Sequence, residues 1–284
     1  MESPSALIAL AIVLGLIVGS FLNVVILRLP ARLMHSWREQ SREILELPSV
    51  APDAVPPGIV RESSHCPKCQ HSLSAFENIP LISWVALRGR CRHCHAPISV
   101  QYPLVELISG LCSAVIVFKF GPTWQSAAGL LLTWTLVALA GIDLRTQLLP
   151  DQLTLPLLWL GLVLSLLPLF VSPSASIIGA AIGYLSLWSV YWLFKLITGK
   201  EGMGYGDFKL LAALGAWMGI TALLPVVLLS SLIGAIVGGA FLAIRGHDRA
   251  TPIPFGPFIA AAGWVWFVCG PTLLSFYQHL FSAA

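Results

Sequence analysis

Of the chain's 284 residues, 57% are hydrophobic and 10% are charged, whereas an ordinary soluble domain carries about 25% charged residues. A soluble core cannot absorb that apolar share, which excludes a water-soluble globular fold and points to helices in a bilayer. The net charge of +3 is modest and the basic residues gather in loops, without a basic stripe interleaved with aromatics, so no nucleic-acid partner is expected.

The apolar runs predict an all-α polytopic membrane protein with about eight transmembrane helices, over residues 6–28, 103–120, 125–144, 153–171, 176–198, 207–222, 223–244 and 254–278. A run near 20 residues, at 1.5 Å per residue, crosses a hydrocarbon layer of about 30 Å. The first run, Ala6 to Leu27, has Glu2 ahead of it, no basic stretch, a length beyond that of a signal's apolar region and no A-x-A site after it, so it is expected to be a retained span and not a cleaved signal. The sixth and seventh runs are the hardest to separate. Between the first two lies the long hydrophilic segment, and the expected organisation is a first helix (1–29), a loop domain (30–102) and a seven-helix membrane core (103–284).

Orientation follows from Lys and Arg, which resist translocation. With the long loop in the cytoplasm, Arg28, Arg32, Arg38, Arg42, Arg61, Lys68, Arg88, Arg90 and Arg92 are inside. Eight spans then also place Arg145, Lys195, Lys200, Lys209, Arg245 and Arg249 inside, leaving Lys119 alone on the far side. Losing one span would reverse every later loop, so the agreement supports the span count together with the orientation.

The loop carries Cys66-Pro-Lys-Cys69 and Cys91-Arg-His-Cys94, two C-x2-C knuckles separated by 21 residues. Each can offer two thiolates to one tetrahedral Zn2+. Lys68, Arg90 and Arg92 could offset the charge of a four-thiolate site. A pair of disulfides is the alternative, disfavoured in a reducing cytoplasm. His65, His71, His93 and His95 could compete as ligands but are expected to be solvated neighbours. A closed four-sulfur site has no open position for substrate, so the zinc is expected to fold a loop too small and polar to build its own core. Residues 36–62, with Pro48, Pro52, Pro56 and Pro57, read as an irregular insertion.

No H-E-x-x-H and no G-x-S-x-G occurs, so zinc-protease and serine-hydrolase chemistries lack their parts. The acids at membrane level are Glu106, Asp143 in Gly141-Ile-Asp-Leu-Arg145, Asp151 in Leu149-Pro-Asp-Gln152, and Asp207 in Gly202-Met-Gly-Tyr-Gly-Asp-Phe-Lys209. Such groups are costly there and tend to mark function. Asp151 follows Pro150 and opens an apolar run, which fits a helix N-cap. Glu106 is open between a buried hydrogen bond to a neighbouring helix and a site role. Asp207 alone could be an N-cap, and Asp143 alone a solvated acid at a helix C-terminus. Together they differ, because the topology puts the end of the third span and the start of the sixth at one depth. Gly202, Gly204 and Gly206 let the backbone before Asp207 bend sharply, pack closely and leave room for an extended peptide. Two carboxylates within a few ångströms hold one proton between them, so one can activate a water while the other donates to a scissile carbonyl. Lys209 or Arg145 would favour ionisation of whichever acid it approaches.

Gly19-Ser-Phe-Leu-Asn-Val-Val-Ile-Leu-Arg-Leu-Pro30, the two knuckles, Asn78-Ile-Pro-Leu-Ile-Ser-Trp84, Tyr102-Pro-Leu-Val-Glu106, Ile142-Asp143 and Gly204-Tyr-Gly-Asp-Phe-Lys209 together resemble the type IV prepilin peptidase family, in that family's order. The resemblance implies a bifunctional enzyme of the bacterial inner membrane with its site facing the cytoplasm. It would cleave the short basic leader of type IV prepilins and type II secretion pseudopilins after a glycine, then methylate the new N-terminal amine with S-adenosylmethionine. It also implies that Asp143 and Asp207 are catalytic and that Cys66, Cys69, Cys91 and Cys94 bind zinc. Gly89 and Arg90 match a stretch the family associates with methylation, although they also fit a turn feeding the second knuckle. No Rossmann-type glycine fingerprint supports a methyl-donor site independently.

Two other readings compete. One is a zinc-module membrane scaffold or transporter whose aspartates serve an ion path, against which the eight runs do not divide into two similar halves. The other is a methyltransferase without protease activity, against which both aspartates are retained.

Overall fold

A computed structural model describes residues 4–47, 55–60, 62–245 and 254–282. Pro48, Pro52, Arg61 and Arg249, used in the sequence reading, lie outside the described residues, as does the side chain of Arg245. Among the described residues there are helices and two isolated β-bridges, but no strand. The helices are α1 (Pro4–Ile44), α2 (Ile82–Ala86), α3 (Gln101–Phe120), α4 (Trp124–Thr146), α5 (Asp151–Ser165), α6 (Pro173–Thr198), α7 (Tyr205–Met218), α8 (Leu223–Arg245) and α9 (Gly256–Ser282). A helix covers each expected apolar run. Among the described residues, five segments are long and apolar enough to cross a membrane: Pro4–Ile44, Gln101–Phe120, Trp124–Thr146, Pro173–Thr198 and Ile220–Ala240. The chain is a multi-pass membrane protein. It divides into two compact units, Met1–Phe118 and Lys119–Ala284.

In the first unit α1 is held against α3 by small residues. A Cβ on Gly15 would stand 2.5 Å from Ser113 Oγ and 2.6 Å from the Ser109 carbonyl oxygen, and one on Gly19 would stand 2.7 Å from Glu106 Cα. This Gly-x-x-x-Gly spacing brings the two backbones close where no hydrophobic driving force between helices exists in lipid. Asn23 Nδ2 adds a bond to the Tyr102 carbonyl at 3.1 Å. Residues 36–44, expected to be irregular, continue α1 instead. Pro30 removes one backbone donor inside the helix, but the residues after it are mostly good helix formers, and Glu39 pairs with Arg42 at 2.9 Å. Beyond α1, Arg28 gathers the described part of the insertion, donating to the carbonyls of Gly58 (2.6 Å), Glu62 (2.9 Å) and Ser63 (3.1 Å).

The second unit is organised around α7, whose residues Leu210 to Ala216 are all buried. It packs against α5, α6 and α9. Against α6 the contact is backbone to backbone: a Cβ on Gly215 would stand 2.2 Å from the Gly179 carbonyl oxygen, and one on Gly183 2.8 Å from that of Leu211. Against α5, Trp217 lies over Gly161 and donates to the Leu157 carbonyl at 2.8 Å. Ser176 donates to the Ala216 carbonyl at 2.6 Å. The break between the sixth and seventh runs is set by Gly219, which ends α7 at φ +75° and starts a short 3-10 turn, Ile220–Ala222.

Candidate active site and cysteine module

Asp143 sits in the last turn of α4 and is 5% exposed; Asp207 sits in the first turn of α7 and is 7% exposed. Neither holds the place its simpler alternative required. Asp143 is buried, not solvated, and the N-cap of α7 is Gly204, with Asp207 three residues inside. The two carboxylates are close enough for their charges to interact. Asp143 Oδ2 accepts the Gly256 backbone N–H at 3.0 Å. Gly256 is the first residue of α9, so an amide with no partner inside its helix supplies this bond. A Cβ there would lie 2.7 Å from Asp143 Oδ2 and 3.1 Å from Leu149 Cδ1. Gly256 was not among the expected site residues. The sequence carries a signal for it in Pro254-Phe-Gly-Pro257, a glycine between prolines at the head of the last apolar run.

The backbone bends before Asp207 at Met203, between Gly202 and Gly204, and the glycines around it also give space. Gly204 has φ −83°, ψ 148°, an extended backbone open to any residue, and none of the three has positive φ. Gly206 lets Leu149 approach, since a Cβ would stand 2.6 Å from Leu149 Cβ, and Gly202 admits the Phe194 ring at 2.9 Å. Beside Gly204 the nearest atoms to such a Cβ are Asp207 Oδ2 at 3.9 Å and Gly206 N at 4.0 Å, so the approach to Asp207 is open there. Lys195 pairs with Glu201 at 2.7 Å, and the Tyr191 and Tyr205 rings meet at 5.3 Å, bracing the α6–α7 connection.

The remaining acids are structural. Asp151 is not an N-cap: Pro150 is, and Asp151 begins α5 half-exposed, bound by Lys209 Nζ at 2.6 and 2.8 Å. Lys209 thus faces Asp151. Glu106 is buried and accepts the Leu81 backbone N–H at 2.8 Å, and its backbone packs against Gly19 of α1. It ties α3 to α1 and to the turn before α2, where Leu81 has φ +60°.

In the first unit the four cysteines converge. Sγ atoms of Cys66 and Cys94 lie 3.7 Å apart, those of Cys69 and Cys91 3.9 Å, and all four fall within 4.8 Å of one another. Ligands 2.3 Å from a tetrahedral zinc are separated by about 3.8 Å, so the set fits that ion, while disulfides need about 2.05 Å and all four thiols are free. The two knuckles are built alike. Cys66 N–H donates to His71 O (2.9 Å) and Cys91 N–H to Ala96 O (2.8 Å), while Gln70 and His95 take positive φ at equivalent places. Backbone amides of Cys69 and Lys68 directed at the Cys66 sulfur hold that thiol down to about 6, favouring the thiolate a metal needs. Gly89 (φ +66°) donates to the Trp84 carbonyl and accepts from Ile98, and Arg90 forms the bridge with Pro97. Both residues are used in the turn that feeds the second knuckle. The Trp84 ring fills the space beside Gly89, 2.9 Å from where a Cβ would be.

Residues 13–120 match the bacterial peptidase A24 N-terminal domain and residues 130–239 the type IV leader peptidase family. A protein of Xanthomonas campestris pv. campestris, named prepilin leader peptidase/N-methyltransferase, is 57% identical, covering 93% of this chain and 92% of its own. This chain belongs to the type IV leader peptidase family. Relatives of the same name from Stutzerimonas stutzeri (54% identical; 97% of this chain, 95% of theirs) and Pseudomonas aeruginosa (52%; 96% and 94%) agree in extent. No solved structure matches the chain. A scaffold or ion-transporting role is not favoured by this membership.

Proposed function

We propose that the chain is a prepilin leader peptidase/N-methyltransferase of the bacterial inner membrane, with Asp143 and Asp207 as its catalytic carboxylates. The observation that carries the reading is the meeting of two buried, interacting carboxylates from α4 and α7, one of them bonded to the N-terminal amide of α9. Carrying one proton between them, the ionised carboxyl takes a proton from a water poised at the scissile carbonyl, and the protonated carboxyl donates to that carbonyl's oxygen. The tetrahedral intermediate collapses as the proton returns to the leaving amine, without a covalent enzyme adduct. The Gly256 amide fixes the Asp143 carboxylate so that its free lone pairs face the water. Open backbone at Gly204 admits an extended leader beside Asp207. Its substrates would be prepilins and type II pseudopilins cut after glycine.

Eight crossings with the 30–102 segment, including the cysteine module, in the cytoplasm are supported by the positions of Lys and Arg, and place the dyad near that face. Cys66, Cys69, Cys91 and Cys94 would hold one structural Zn2+, a role suited to a closed thiolate set. Methyl transfer rests on the relatives' names, and no step is derived through Gly89 or Arg90. The test is cleavage of a leader-bearing prepilin with labelled S-adenosylmethionine in reconstituted membranes, reading both products. Asp143→Asn and Asp207→Asn should each abolish cleavage while methylation of a pre-cleaved pilin persists. Wild-type cleavage by either variant overturns the assignment.

A further inference from the structure

Beside the four cysteines, residues from three places in the first unit converge: His71 just after the first knuckle, His93 inside the second, and Glu77 in the 3-10 turn Ala75–Asn78. Their ligand atoms all lie within 4.8 Å of one another. His71 Nε2 stands 3.6 Å from Glu77 Oε2, which sets the imidazole beside the carboxylate whose other oxygen is the one offered to a metal. The His71 and His93 rings face each other with centroids 3.5 Å apart.

Glu77 is prepared for the same task. Ser74 donates to Glu77 Oε2 from its backbone N–H (2.9 Å) and its hydroxyl (2.7 Å), which fixes the carboxylate and leaves Oε1 free of these bonds. The Ser74 amide and then its hydroxyl hold Glu77 below the usual carboxylate range, so it is ionised at neutral pH.

We infer that His71, Glu77 and His93 form a second metal site, separate from the four-cysteine site, for an exchangeable divalent transition-metal ion of the zinc, cobalt or nickel kind. Two imidazoles and one carboxylate select these over magnesium or calcium, which prefer all-oxygen sets. Three protein ligands leave a position for water or an incoming donor, so this ion exchanges where one bound by four sulfurs does not. The inference stands apart from the peptidase reading, because its readout is metal uptake.

The test uses the full-length protein in detergent, its cysteine site loaded with zinc, titrated with Co2+ and followed by visible and near-ultraviolet absorption and by metal analysis. The wild type should take up a further Co2+ with d–d bands and no thiolate charge-transfer band. His93→Gln alters an exposed side chain, and Glu77→Gln can keep the bond from Ser74. Each should weaken uptake at least about tenfold while the zinc content holds, as does loss of even a supporting contact at other metal sites. No uptake beyond the cysteine site, uptake unchanged in His93→Gln, or Co2+ appearing only with a thiolate charge-transfer band overturns the site.

Discussion

Replacing Gly256 by Ala tests whether the dyad depends on the backbone that holds it. The substitution keeps the amide and changes only the space in front of it. The new Cβ would stand 2.7 Å from Asp143 Oδ2 and 3.2 Å from its Cγ, so the carboxylate is about 0.7 Å short of the 3.4 Å where ordinary contact begins. Leu149 Cδ1, at 3.1 Å, blocks a second direction of relief. Asp143 must therefore swing away, lengthening its bond to the amide and changing its angle to Asp207. A displacement of this size at reacting groups costs about 10²-fold in rate, or about 2–3 kcal/mol of barrier. The measurement is steady-state cleavage of a leader-bearing prepilin in proteoliposomes. We expect kcat to fall about 10²-fold with KM within about threefold, since groups that contact the substrate only for binding are untouched. Gly239→Ala, with no neighbour within 4 Å, is the matched control and should cleave normally. If Gly256→Ala cleaves within about threefold of wild type while retaining the wild-type thermal midpoint, the Gly256 amide does not set the geometry of the dyad.

Three further outcomes follow from the packing and the ion pairs. Gly215→Ala drives a methyl into the α6 backbone and should lower stability by about 1–3 kcal/mol, read as a reduced thermal midpoint in detergent; an unchanged midpoint refutes the close α6–α7 contact. Lys209→Ala removes a partly exposed pair with Asp151, worth at most about 1 kcal/mol, and should leave cleavage within about threefold; a loss as large as that of Asp207→Asn would place Lys209 at the dyad. The purified protein should contain about one zinc per chain by mass spectrometry, absent when Cys66 and Cys91 are both Ser; intact cysteines without metal contradict the four-sulfur assignment.

The proposed site was legible in the sequence where its chemistry is carried by side chains. A carboxylate in an apolar run is rare enough to stand out, and C-x2-C spacing encodes its own geometry, so Asp143, Asp207 and the four cysteines could be found without coordinates. Gly256 acts through a backbone N–H that every residue but proline owns, and only its position at the start of α9 makes that donor available. The backbone does bend before Asp207, at Met203, but no positive φ among its glycines drives the turn. Glycine in sequence signals freedom, but what Gly206 supplies is the absence of an atom where Leu149 must lie. The continuation of α1 beyond Pro30 was hidden because a proline inside a helix looks like its end. Asp151 was misplaced by one position, since capping depends on which residue leaves helical geometry first. The pairing of His71, Glu77 and His93 joins residues on separate turns, a proximity that spacing along the chain does not encode.

The burial of α7 bears on how the protein is made. At 14 residues and about 1.5 Å per residue it measures about 21 Å, short of a hydrocarbon layer of about 30 Å, and it carries both Asp207 and Lys209. Charged groups in its first turns add to the cost of placing so short a helix in hydrocarbon, so α7 is a poor candidate to enter lipid by itself. Its faces are already spoken for by α5 and α6, which are synthesised first, and the glycines that receive it, Gly161, Gly179 and Gly183, lie on those two helices. The chain order therefore offers α7 a protein surface before it offers it lipid, and the aspartate it carries is delivered to the membrane as part of an assembled hairpin. Mutations that loosen α5 or α6 would then appear first as failed insertion, with loss of the chain to proteolysis, ahead of any change in what the finished enzyme can cut.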